Sequence, residues 1–326
     1  MITKKKNQHL NVACGESHSV VLLSDKTIQC WGDNDANQCD PVHLTFTDVI
    51  RVACGFKHSV ALTLNGIIHC WGDNTSNQCD PIHLTFTNVI QIACGALHSV
   101  VLLTDGTIRC WGNNTWKQCD PVHLTLTNVI QVACGHSHSV VLLANGTVQC
   151  WGNNTNSHVH LTFMDVFQVV GSKYWSFDLL SNVTIQWCGN SQITITDAVQ
   201  VDHGHIHSVA LLSNGTVQCW GNSTFNQCDP VHKTFTDVIQ IACGYTHSVV
   251  LLSNGTVRCW GDNMYNQCDP IHLTFTDVIQ IACGVDHSVA LLSNGTVRCW
   301  GGNNHNQCDP VHLTITNIML PFCVLW

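Results

Sequence analysis

The chain reads as an all-β propeller of seven or eight short antiparallel blades, and three observations predict it. A unit of about forty residues recurs along nearly the whole sequence, and self-similarity at such a period marks a module that must stack on its neighbours to bury its apolar face. Each unit holds three short apolar runs separated by Gly and Asn. Long helix-forming stretches are lacking, and Glu16 is the only glutamate among 326 residues.

Taken in order, residues 1–8 carry the run Lys4-Lys5-Lys6 and read as a flexible, solvated basic tail. Residues 9–326 read as a single propeller domain of eight units, degenerate at about 166–197. An Ala-Cys-Gly landmark falls at Cys14, Cys54, Cys94, Cys134, Cys243 and Cys283, with Gly171 and His203 in its place in two units. In the last full unit "VIQIACG" (278–284), "HSVALL" (287–292) and "TVRCWG" (296–301) form a three-stranded meander. Asn-Gly or Asp-Gly between the second and third runs, as at Asn65-Gly66 and Asp105-Gly106, predicts a type I′ hairpin.

The runs are continuously apolar, which fits strands covered on both faces, as in sheets packed radially around an axis. The small Ala-Cys-Gly run suits the crowded strand nearest that axis. Each Trp of "CWG" is then a blade-packing residue. A further run, "NIMLPFC" (317–323), repeats the first-strand register already taken by "HLNVACG" (9–15), so the manner of ring closure stays open.

Composition narrows the function. A hydrophobic content of 45% supports a core, and a formal charge of −9 disfavours a general nucleic-acid binder. The apolar runs are strand-length, so no membrane span and no secretory signal are expected. Nine Asn-x-Ser/Thr triplets occur, four of them the Asn-Gly-Thr turn itself, and all read as turn chemistry.

The pattern "ACGxxHSVxLLSNGTVxCWGxNxxNQ" resembles the repeat of the regulator of chromosome condensation family, in register over almost the whole chain. The resemblance implies a β-propeller, usually with seven blades. In unit length the chain is closest to the bacterial propeller that inhibits β-lactamases. It is also similar to propellers of this repeat family in giant viruses. Two departures stand out: "NQCD" replaces the family's "GQLG", and eight hairpins are present.

The 21 cysteines fall into three registers. Wherever "QCD" occurs, a cysteine follows fifteen positions later: Cys39 and Cys54, Cys79 and Cys94, Cys119 and Cys134, Cys228 and Cys243, Cys268 and Cys283, Cys308 and Cys323. Both members vanish together in the fourth and fifth units, which argues for six disulfides between successive units. The "CWG" cysteines persist there and read as small buried hydrophobes. Two alternatives stay open: zinc held by sets such as Cys39, His43, Cys54 and His58, and reduced buried thiols.

No catalytic constellation is visible, because the His and Asp residues repeat with the unit, and no cofactor or metal is expected. Individuality lies in two variable pairs per unit, and the aromatic residues among them, Phe56, Trp116, Phe225, Tyr245 and Tyr265, are the candidate interaction residues. The expected role is a non-enzymatic structural or protein-interaction propeller that binds a protein partner or self-assembles. It is expected to take no small-molecule substrate, membrane or nucleic acid. A virion of a large DNA virus would reconcile disulfides with the lack of an export signal, and the cytoplasm is the other location. The alternatives are a nucleotide-exchange regulator of a small GTPase, or a protein inhibitor acting through its loops.

Overall fold

A computed structural model describes residues 12–23, 25–40, 47–80, 86–120, 126–153, 166–171, 176–180, 185–187, 195–228, 235–268 and 276–308. They form eight three-stranded antiparallel sheets, one per repeat unit. Blades 1 to 8 span 12–32, 49–72, 89–112, 129–152, 166–187, 198–221, 238–261 and 278–301. The strands of blade 8, Val278–Cys283, His287–Leu292 and Val297–Gly301, coincide with the three runs read from sequence. No helix among the described residues is long and apolar enough to cross a membrane.

First strands of successive blades contact one another all the way round, and that of blade 8 contacts that of blade 1. The ring is therefore closed at eight, with the Ala-Cys-Gly strand innermost. Val12–Cys14 fills the first-strand position of blade 1, pairing with Ser19–Val21. The ninth run at 317–323 and the basic tail lie outside the described residues.

Three sets of contacts join neighbouring blades, and each comes from one repeated residue. The second-strand His of one blade lies 2.8–3.1 Å through Nε2 from the Ser hydroxyl of the next, as in His18–Ser59, His58–Ser99 and His98–Ser139. The Trp indole donates to the Gln carbonyl of the preceding blade's outer loop, as Trp71 does to Gln38 and Trp111 to Gln78. The first-strand Gln also grips the next first strand with both ends of its amide: Gln91 donates to the Val132 carbonyl and accepts from the Val132 amide. Between these polar seams lie apolar clusters such as Val60, Leu62, Ile68, Val89, Val101 and Trp111, drawn from two adjacent blades. Trp31, Trp71, Trp111, Trp151, Trp260 and Trp300 are almost fully buried, as blade-packing residues should be, and Trp220 is half-buried.

The hairpin differs from the expected type I′ turn. Gly66 has φ +78°, but Asn65 does not adopt positive φ. The Gly66 amide donates to the Thr63 carbonyl and the Thr63 amide to the Ile67 carbonyl. This is a three-residue loop, a type I turn closed by one left-handed residue, so only the last position needs glycine. Blade 1 has Lys26 there at φ 65°.

A bulge recurs in the first strand. In blade 3 the register slips between Val89 and Gln91, so Ile90 has no partner across the ladder and is 45% exposed. Ile130, Val199 and Ile239 occupy the same position and are likewise exposed.

Candidate interaction face and axial cavity

The two variable pairs of each unit lie on one face. The first follows the innermost strand. The second follows the third strand, which ends beside the first pair: the Asn113 amide donates to the Leu97 carbonyl, and the Asp262 amide to the Thr246 carbonyl. Axial loops thus form an inner ring and third-strand loops an outer ring.

The outer loop is a hydrogen-bonded frame with free tips. In blade 3 the Gln118 side-chain oxygen accepts from the Trp116 amide, and Asn114 Oδ1 accepts from the Cys119 amide. The same frame holds Phe225 on Gln227 and Tyr265 on Gln267. Its backbone needs a left-handed residue at Lys117, Asn226 and Asn266. The frame uses backbone, Gln and Asn, so tip side chains vary freely: Trp116 is 48%, Phe225 41%, Met264 71% and Tyr265 39% exposed. Met264 was missed in the sequence reading, although it belongs to the same variable pair as Tyr265.

Phe56 and Tyr245 behave differently. Both are half-buried over the axis. Phe56 meets the His136 ring edge-on at 4.9 Å, and Tyr245 stacks on His205 at 3.9 Å with its hydroxyl 3.1 Å from His205 Nε2. In six of the axial loops the amide donates to the carbonyl of the next: Glu16 to Phe56, Phe56 to Ala96, Ala96 to His136, His205 to Tyr245, Tyr245 to Val285, and Val285 back to Glu16. These two aromatics are therefore part of the axial plug and not free anchors. Burial, together with Asp262 and Glu16, raises the Asp286 carboxyl, so this rim gathers negative charge.

Six thiols (Cys14, Cys54, Cys94, Cys134, Cys243 and Cys283) line, together with the axial loops, an axial cavity of about 270 Å³. Burial pushes Cys14 and Cys54 up to about 12, so they are protonated at neutral pH. Symmetry breaks in blade 6, where Asp202-His203 replaces Ala-Cys. The Asp202 carboxylate accepts from the Cys243 and His203 amides, and burial raises it to about 6. His203 had marked only a lost cysteine, and Asp202 had drawn no notice in the sequence.

The cysteine pairing departs from the sequence expectation. Cys39 is bonded to Cys30 and Cys119 to Cys110, both within one unit, while Cys54 and Cys134 remain thiols. The physical reason is the loop frame, which returns the chain onto the third strand. Cys30 Sγ lies 3.1 Å from the Gln38 carbonyl oxygen, one residue from Cys39. Cys228 and Cys268 likewise lie against Cys219 and Cys259 and not against Cys243 or Cys283, and Cys308 lies against Cys299; the expected partner Cys323 is outside the described residues. Cys79 is hydrogen-bonded to Cys70, with Cys94 further off in the same apolar cluster. Cys30 and Cys110 are thus bonding partners and not simply small hydrophobes, while Cys150, whose unit lacks a loop cysteine, is a buried thiol.

The zinc set is not assembled either. Cys39 is in a disulfide, His58 is bonded to Ser99, and His43 lies outside the described residues. Asp33, Asp35 and His305 have ligand atoms within 4.8 Å of one another, but the Lys57 ammonium 3.6 Å from Asp33 already supplies positive charge there. The Asn-x-Thr triplets are turn chemistry at Asn145 and Asn222, whose Oδ1 accepts from the Thr two residues on.

A family model described as "Regulator of chromosome condensation (RCC1) repeat" matches residues 10–38, 49–78, 89–115, 129–157, 199–227, 238–267 and 278–307. The gap is blade 5, where the outer-loop Gln-Cys and the axial Cys are missing. No curated protein matches the chain. Among solved structures, yeast RCC1 (Prp20) bound to Kap60 is similar with a TM-score of 0.58 at 17% identity, covering 97% of this chain and 85% of that one. Prp20p of Saccharomyces cerevisiae, described with its binding to Gsp1p and histones, has a TM-score of 0.52 at 18% identity over 86% and 81%. The ectodomain of the Arabidopsis thaliana receptor kinase ACR4 has a TM-score of 0.56 at 16% identity over 90% and 97%. At these identities the likeness is one of fold.

Proposed function

The chain belongs to the regulator of chromosome condensation repeat family, and from that premise we propose that it is a non-enzymatic propeller that binds a protein partner through its third-strand loops. One observation carries this reading: the loop backbone is held by the same Gln and Asn bonds in blade after blade, while its tips are exposed and change, with Trp116, Phe225, Met264 and Tyr265 the large apolar ones. A constant scaffold with variable apolar tips suits recognition, since aromatic anchors dominate binding energy. The partner would offer an apolar surface with basic residues, to meet the acidic rim of Glu16, Asp262 and Asp286. Residence in the particle of a large DNA virus, with a second copy or another particle protein as partner, is part of this proposal. Its support is the similarity in repeat and the cysteine richness.

The test is affinity capture with the triple variant Trp116→Ala, Phe225→Ala, Tyr265→Ala against Ile90→Ser, Ile130→Ser on the opposite end of the blades. Loss of the partner with the first and retention with the second is expected. The reverse pattern would move the interface to the bulge residues. A nucleotide-release assay on small GTPases tests the exchange-factor alternative, which rests on family membership, and a β-lactamase inhibition assay tests the inhibitor one. Mass spectrometry of purified particles tests the virion placement.

A further inference from the structure

We propose that the third-strand and outer-loop cysteines are oxidised to a disulfide in every one of the six units that hold both, so that each complete tip loop is covalently closed. Cys30–Cys39 and Cys110–Cys119 are already bonded, with Cα atoms 5.1 and 5.2 Å apart. Three further pairs bring their sulfurs to 2.7–2.8 Å, closer than non-bonded heavy atoms settle. The remaining pair, Cys70 and Cys79, is hydrogen-bonded.

What positions the pairs does not depend on the bond itself. In each of these units the third-strand Sγ lies 2.9–3.4 Å from the carbonyl oxygen of the Gln preceding the loop cysteine, as Cys219 does from Gln227 and Cys259 from Gln267. The loop-cysteine amide is fixed from the other side, by Asn263 Oδ1 at Cys268 and by Ser223 Oγ at Cys228. Backbone groups with one Asn or Ser side chain per loop hold the two sulfurs in bonding range.

Oxidation takes two protons and two electrons per pair, and a low-molecular-weight disulfide accepts them. In blade 6 Cys219 donates a hydrogen bond to Cys228, which lowers the Cys228 thiol, so Cys228 is the attacking thiolate. It attacks one sulfur of the small disulfide and expels the first small thiol. Cys219 then loses its proton and attacks the Cys228 sulfur of the mixed disulfide. The Cys219–Cys228 bond forms and the second small thiol leaves.

The closed loops are those that carry Trp116, Phe225, Met264 and Tyr265, so the bonds would hold the binding tips in place before a partner arrives. This consequence rests on the interaction reading above. The bonds themselves do not.

The experiment is peptide mapping of the intact chain purified without reductant and incubated with oxidised glutathione. Thiols are blocked with maleimide, and cleavage follows Trp111 and its counterparts. Six linked pairs are expected, each nine positions apart, with Cys54 and Cys134 carrying maleimide. Maleimide on Cys119, or a Cys119–Cys134 link, would overturn the proposal. Proteolysis after Trp116 should quicken at least fivefold on reduction, and by a similar factor in the Cys110→Ser, Cys119→Ser variant. An unchanged rate would sink the claim that the bond holds the loop. Bonds present with binding insensitive to Trp116→Ala would refute the interaction reading alone. Bonds absent with binding sensitive to it would refute this inference alone.

Discussion

His287 Nε2 and the Ser19 hydroxyl lie 2.8 Å apart, although 268 positions separate them in the chain. The Ser19 hydroxyl in turn donates to Cys14 Sγ at 3.4 Å, so the imidazole must supply the proton of the first bond. The same logic holds inside the ring, where Ser139 donates to the Gln118 carbonyl and therefore accepts from His98. Closure thus uses the same bond as the junctions of blades 1–2, 2–3, 3–4, 6–7 and 7–8. The Trp31 indole donating to the Gln307 carbonyl repeats the pattern at the outer edge of the same seam.

Ser19→Ala should therefore cost as much as Ser288→Ala, about 1–3 kcal/mol each, because each leaves a buried imidazole N–H without its acceptor. Chemical denaturation of the two variants compares them. A much smaller loss at Ser19 would mean that the closing junction is weaker than the internal one.

The buried imidazoles make the ring acid-labile. Burial lowers His18, His58, His98, His203 and His247 to about 3, and His207 and His287 to about 4. Unfolded, each titrates near 6.5. A folded pKa below the unfolded one means that the unfolded chain binds protons first. The stability held above pH 6.5 is then lost as pH falls toward the folded values. Each histidine adds a slope of up to about 1.4 kcal/mol per pH unit. Circular dichroism should show cooperative unfolding that begins below pH 6.5, and a ring still intact at pH 4 would contradict this.

Gly55→Ala should prevent folding. An added methyl would sit 2.1 Å from His58 Cε1 and 2.6 Å from the Gly95 carbonyl oxygen, inside the most crowded part of the axis. Gly106→Ala, where φ is +77° and the nearest backbone atom is 3.1 Å away, should cost about 1–2 kcal/mol and still fold. Soluble yield and thermal midpoint separate the two outcomes.

Trp71→Phe keeps most of the packing and removes the 2.8 Å bond to the Gln38 carbonyl. A loss of about 1–3 kcal/mol is expected, from the orphaned carbonyl and the smaller ring. Calorimetric melting checks it. Trp116→Phe, on an exposed tip, should change stability by less than about 0.5 kcal/mol.

The repeat, the three strands per unit, the innermost position of Ala-Cys-Gly and the burial of the "CWG" tryptophans were all legible in the sequence. Each is dictated by local pattern copied many times, so one unit could be read and the others followed. The tip aromatics Trp116, Phe225 and Tyr265 were legible for the same reason, as variation against a constant frame. Tertiary structure decided what depends on how the chain folds back on itself. It closed the ring at eight, moved Phe56 and Tyr245 into the axial plug, exposed Ile90 on a bulge, and turned Cys119 toward Cys110 instead of Cys134. In-chain co-variation told which cysteines are retained together, but a bond forms between sulfurs that the loop brings within reach. That reach is set by where Gln118 and Asn114 anchor the loop backbone, a three-dimensional fact that the fifteen-residue spacing does not contain.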